Sequence, residues 1–198
     1  MKKRTPAANA ADSILKGYLF LHLNLNIGTL NILPNWVGYL FINEILPDLA
    51  LTRPSALLLR PLGRGLAAWE GVCWLFTLFS ITPTGLLGTS LWQLAQAAAG
   101  VAGLYFHFQL LTDLAETARM KEYPGVKKLL RLRTVNTLLS TFIMAVGLPP
   151  VSQFITGARM YWVLGIGIVV TIWICLTLND LSLYLDNLEP PEEIPPAV

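Results

Sequence analysis

Residues Ser13 to Leu51 read SILKGYLFLHLNLNIGTLNILPNWVGYLFINEILPDLAL, nearly forty mostly apolar residues interrupted once, at Leu33-Pro34-Asn35. The run is too long and too apolar for one soluble helix, since about 20 apolar residues already suffice to cross a bilayer. Yet it carries His22, Asn24, Asn26, Asn31, Asn43 and Glu44. It reads as two consecutive membrane-spanning helices with polar cargo. Pro34 suits the first turn of a new helix, where its missing N–H is no loss, and Asn35 beside it favours a tight turn. A re-entrant hairpin over residues 13–51, shielded by protein, is the alternative reading.

The rest of the chain supplies further spans. Of its 198 residues, 54% are hydrophobic and 13% charged, a balance outside the soluble norm. Runs of sufficient length fall at about 13–33, 34–51, 66–87, 91–114, 134–151 and 160–185. The expected fold is therefore all-α: a polytopic integral membrane protein, a six-transmembrane-helix bundle with N and C termini cytoplasmic. Residues 1–185 make a single transmembrane domain and 186–198, acidic and proline-rich, a solvated tail. The basic N-terminal segment MKKRTPAANAADS is read as retained, because the apolar run after it continues through asparagines into a second span.

Lysine and arginine near spans stay on the cytoplasmic side. With six spans, the inner segments hold Lys2, Lys3, Arg4, Arg53, Arg60, Arg64, Arg119, Lys121, Lys127, Lys128, Arg131 and Arg133, and Lys16 lies at the inner mouth of the first span. Only Arg159 falls outside, so thirteen of fourteen basic residues share one face. Omitting any span would carry later basic loops to the wrong side. TRPSALLLRPLGRG reads either as a short interfacial helix or as an ordinary basic loop, and VKKLLRLR as a basic amphipathic helix resuming after Tyr123-Pro124-Gly125. A net charge of +2 gives no general basicity, so nucleic acid is not an expected partner. The lipid bilayer is, together with a partner membrane protein or a second copy.

Ionisable groups within spans are expensive and mark interiors or watery cavities. The candidates for ligand or proton binding are His22, Asn24, Glu44, Glu70, His107, Asp113 and Asp180. Counting about 1.5 Å per residue from the inner span ends places the ionisable ones in the cytoplasmic half and puts His22 and Glu44 at similar depth, so a pair between them is expected. Asn24 and the neighbouring asparagines could join that network. No cofactor is predicted. Haem through His22 and His107 lacks a CxxCH motif, and a metal site lacks any short-range spacing such as HExxH. Cys73 and Cys175 read as packing thiols. In AQAAAGVAG of the fourth span, Ala95, Ala99 and Gly103 lie at small-xxx-small spacing, which allows close helix packing. GYLF occurs at 17–20 and again at 38–41, while the ILP pair has a different offset, so the repetition reads as local redundancy rather than a duplicated fold.

The run ILPNWVGYLF after an asparagine-bearing apolar span resembles a pattern near the start of small multi-pass membrane proteins of bacteria, a group that implies no activity. Six spans in about 200 residues with an alanine-rich contact segment are similar to the substrate-binding components of energy-coupling-factor transporters. That resemblance implies ligand binding toward the outer side, although here the alanine-rich segment lies in the fourth span rather than the first. The expected function is binding or transport of a small polar solute or ion in the inner membrane. A non-catalytic membrane subunit docking a partner, or a membrane redox or lipid-modifying enzyme, are the alternatives.

Overall fold

The computed structural model of the chain describes residues 6–22, 26–27, 30–31, 34–146 and 158–188. The elements are α1 (Pro6–His22), β1 (Asn26–Ile27), β2 (Leu30–Asn31), α2 (Asn35–Ala50), a 3-10 turn (Pro54–Leu58), α3 (Leu59–Leu78), α4 (Pro83–Leu87), α5 (Thr89–Met120), α6 (Val126–Val146) and α7 (Ala158–Leu188). Apart from the two-residue antiparallel pairing Asn26↔Asn31 and Ile27↔Leu30, the described elements are helical. The six long helices close a ring in chain order: α1 packs on α2, α2 on α3, α3 on α5, α5 on α6, α6 on α7, and α7 back on α1.

Three of these helices are long and apolar enough to cross a membrane, namely α5, α6 and the Gly165–Leu188 part of α7. Their outward residues are apolar too: Leu94, Val101, Leu138, Phe142, Ile168 and Val169 are exposed. Such a belt is unfavourable in water and suits lipid tails, which makes the chain membrane-associated. The shorter α1 and α2, with 17 and 16 residues, are held as a pair by glycine. A Cβ on Gly17 would lie 2.9 Å from the Gly38 carbonyl oxygen, and one on Gly38 would lie 2.6 Å from that of Gly17. Only glycine permits this crossing.

The helix pair is shifted relative to the sequence expectation. The first span was expected to run as helix to Leu33, but α1 ends at His22. The reason is visible in Leu23-Asn24-Leu25-Asn26-Ile27, whose strict alternation is a period-two, strand-like signal, followed by Gly28-Thr29. Pro34 stands at the N-cap of α2 in extended conformation rather than inside the first turn. TRPSALLLRPLGRG does not form a separate interfacial helix: a 3-10 turn runs directly into α3, which begins at Leu59 rather than Leu66. VKKLLRLR is likewise the first two turns of α6, continuous with the fifth span.

One end of the ring gathers the basic segments. Ser182 Oγ donates to the Ala8 carbonyl across α7 and α1, Tyr184 Oη to the carbonyls of Lys121 and Glu122, and Lys128 pairs with Asp180 at 3.5 Å. At the same end burial, with the Asp180 carboxylate adding, pushes the Tyr123 hydroxyl above the usual tyrosine range. The α2–α3 and α5–α6 connections thus lie together with the start of α1 and the end of α7, as the basic-residue pattern requires.

Candidate functional site

The two GYLF segments, read as redundancy in the sequence, are paired in space. α1 and α2 cross at Gly17 and Gly38 in antiparallel sense, so equivalent residues face one another about a local two-fold. Phe20 and Phe41 have ring centroids 5.4 Å apart. The tyrosines between them converge on one residue of α5: Tyr18 Oη lies 3.2 Å from His107 Nδ1, and Tyr39 Oη 3.5 Å from Nε2. A neutral imidazole has one N–H and one bare nitrogen. One hydroxyl therefore accepts from the ring N–H, while the other donates to the bare nitrogen. Tyr18 is fully buried, and its ring also stacks on His22, 5.7 Å between centroids.

Beside this clasp, between α2, α3, α5 and α6, lies a cavity of about 530 Å³. Its polar lining includes His22, Asn35, Tyr39, Glu70, Gln96, His107 and Ser140, set among Leu66, Trp69, Leu104, Ile143 and Met144. His22 lies at its rim, with its ring centroid 6.5 Å from that of His107. The Asn35 amide donates to Glu70 Oε2 at 3.2 Å, but the Asn35 Oδ1 atom is buried without a partner. Small residues make the room: Ala99 and Gly103 of α5 line the cavity, so the small-xxx-small stripe leaves space as well as packing helices. Gly100 closes on Met144 of α6, and Ala95 is half-buried on the same helix.

Three of the seven expected site residues, His22, Glu70 and His107, are thus brought together, whereas Glu44, Asp113 and Asp180 lie elsewhere. No bond joins His22 to Glu44 among the described residues; Glu44 is exposed and outside the cavity. The crossing at Gly17 and Gly38 explains this, because it sets Glu44 level with Ala11, about 16 Å before His22 along α1. Asp180 is a surface partner of Lys128 at the basic end. Asn24 lies outside the described residues. The expectation that all six ionisable groups occupy the half nearest the basic loops fails for His22, at the last turn of α1, and for Glu70. Because α3 starts at Leu59, Glu70 sits about 17 Å along it. Trp69, about 15 Å along the same helix, stacks on Trp92 with centroids 5.2 Å apart.

Asp113 forms a separate polar cluster nearer the basic end. It is fully buried, and its Oδ1 accepts from Ser55 Oγ at 2.8 Å and from Gln109 Nε2 at 3.0 Å, with Arg53 Nε at 4.0 Å. Ser55 lies in the 3-10 turn, so this carboxylate ties the α2–α3 connection to α5. Asp113→Ala is expected to speed amide hydrogen exchange across Pro54–Leu58 by about tenfold or more, as loss of one or two such bonds at about 1 kcal/mol each implies. Unchanged exchange would mean that packing of Ala56 holds the turn instead.

Sequence reasoning missed Tyr18, Tyr39, Asn35, Gln96 and Ser140. The signal for the tyrosines was present in the repeated GYLF, whose glycines mark the crossing and whose next residues must flank it. As to metals, no group of three His, Cys, Asp or Glu side chains with ligating geometry occurs among the described residues. Both nitrogens of His107 face tyrosine hydroxyls, so haem or metal ligation by His107 would first have to displace one. No protein family, curated protein or solved structure matches the chain.

Proposed function

We propose that the protein is a six-span bundle of the bacterial inner membrane, with both termini and the basic loops cytoplasmic, that binds and carries a small polar solute in the cavity between α2, α3, α5 and α6. The single observation that carries this reading is the cavity itself, with seven polar side chains, Tyr39 among them, around about 530 Å³ inside a bundle whose outer face is apolar. Ligand sites are concave, mostly apolar and furnished with a few convergent polar groups. In lipid, such groups would otherwise be costly. The basic ends of the helices lie on the cytoplasmic side by the distribution of lysine and arginine, so the cavity occupies the outer half. That position agrees with the similarity to energy-coupling-factor substrate-binding components noted from the sequence.

Proteoliposomes bearing the protein are expected to release at least one of a panel of small amines, amides, alcohols and carboxylates faster than empty liposomes. Ala99→Leu, which projects a larger side chain into the cavity, is expected to remove that difference without lowering the thermal midpoint. Glu44→Gln, on the exposed face, is expected to leave it unchanged. Flux equal to that of empty liposomes for every solute would sink the transport reading. Flux that survives Ala99→Leu would place the path elsewhere.

A further inference from the structure

The charges around the cavity are one-sided. None of its lining residues is lysine or arginine, and Glu70 is its one carboxylate. The basic residues lie elsewhere: Arg64, nearest in sequence, is exposed about 9 Å back along α3, and Lys16 is engaged by Asp12 at 2.8 Å. The hydrogen bond that the structure gives Glu70 comes from the neutral Asn35 amide. Asn35 Oδ1 waits beside it as a second acceptor without a donor. The cavity therefore offers excess acceptors and no fixed positive charge.

We infer that the solute is a small organic cation, whose ammonium-type head donates to Glu70, held in place by the Asn35 amide, while its body lies against Trp69, Leu104 and Ile143. This rests on the reading of the cavity as a solute site. A half-buried carboxylate without a counter-charge is costly, and a bound cation supplies that charge and itself favours the ionised form. Aromatic walls add to cation binding when the site is desolvated. A bare metal or alkali ion fits less well. Such ions need several ligand atoms at about 2–2.6 Å, whereas about 530 Å³ lies open here and no triad of metal-type side chains converges among the described residues. An anion would meet Glu70 with no compensating donor charge.

Benzylammonium, benzyl alcohol and benzoate share one shape and differ in charge, and their binding to the full chain in lipid nanodiscs by calorimetry decides the matter. Benzylammonium is expected to bind about tenfold or more tightly than benzyl alcohol, because charge-assisted hydrogen bonds are about twice as strong as neutral ones, with benzoate weakest. Glu70→Gln is expected to abolish the preference at unchanged helix content, and Asn35→Ala to reduce it. Equal affinities, a preference for benzoate, or a cation preference that persists in Glu70→Gln would each overturn the inference. Should Glu70→Gln fail to fold, the wild-type charge series decides alone. Benzyl alcohol or benzoate binding more tightly than benzylammonium, and lost in Ala99→Leu, would keep the solute cavity and remove the cation. Failure of all three probes to bind wild type would overturn both.

Discussion

Gly38→Ala is expected to cost the folded protein about 3 kcal/mol, the upper part of the usual range for overpacking. The added Cβ would stand 2.6 Å from the Gly17 carbonyl oxygen and 2.8 Å from Leu21 Cγ, and the first of these is backbone that has no rotamer by which to escape. α1 and α2 would have to separate, parting Phe20 from Phe41 and drawing Tyr39 away from His107. Gly65 and Gly165 provide the contrast, since a Cβ at either meets nothing within 4 Å. Both lie in helices, where alanine is favoured over glycine by about 1 kcal/mol, so Gly65→Ala and Gly165→Ala are expected to hold or raise stability. Thermal midpoints in one detergent, followed by helical circular dichroism, measure all three. A Gly38→Ala midpoint at or above wild type would show that the crossing tolerates a side chain.

His107→Leu is expected to destabilise by about 2 kcal/mol, chiefly through what it leaves behind. Hydrogen bonds between helices in bilayers average only about 0.6 kcal/mol, but a buried polar group stripped of its partner costs about 1–3 kcal/mol. The leucine would strand two hydroxyls, those of Tyr18 and Tyr39, of which the first is fully buried. The triple variant Tyr18→Phe/Tyr39→Phe/His107→Leu removes donor and acceptors together and is expected to recover about half or more of the loss. Simple additivity of the three single effects would mean that the residues do not act as a unit.

The helical character of the chain and the gathering of its basic segments were legible in the sequence, because length, hydropathy and lysine–arginine placement act over whole segments; of the six expected spans, three helices are long and apolar enough to cross a membrane. Boundaries were less legible, and the site depended on them. Reading Ser13–Leu33 as one helix overlooked the alternation in Leu23–Ile27, and with it the level of the α1–α2 crossing, which is why Glu44 was paired with His22. Starting α3 at Leu66 instead of Leu59 made Glu70 look shallow and hid its place in the cavity. His107 and Glu70 were singled out from cost alone, since a charge or imidazole in an apolar run calls for a reason, and both line the cavity. Tyr18 and Tyr39 carry no such cost at sequence level. Their role follows only from three helices meeting, which no single-segment pattern encodes.

The local two-fold at Gly17 and Gly38 has a consequence for the hydrogen at its centre. Two equivalent tyrosines offer equivalent seats, but a neutral ring brings only one N–H to fill them. Moving that hydrogen from Nδ1 to Nε2 reverses both hydroxyl bonds at once while every heavy atom stays in place. The middle of the bundle thus holds a dipole with two orientations, and the unequal contacts, 3.2 Å to Tyr18 and 3.5 Å to Tyr39, make those orientations unequal in energy.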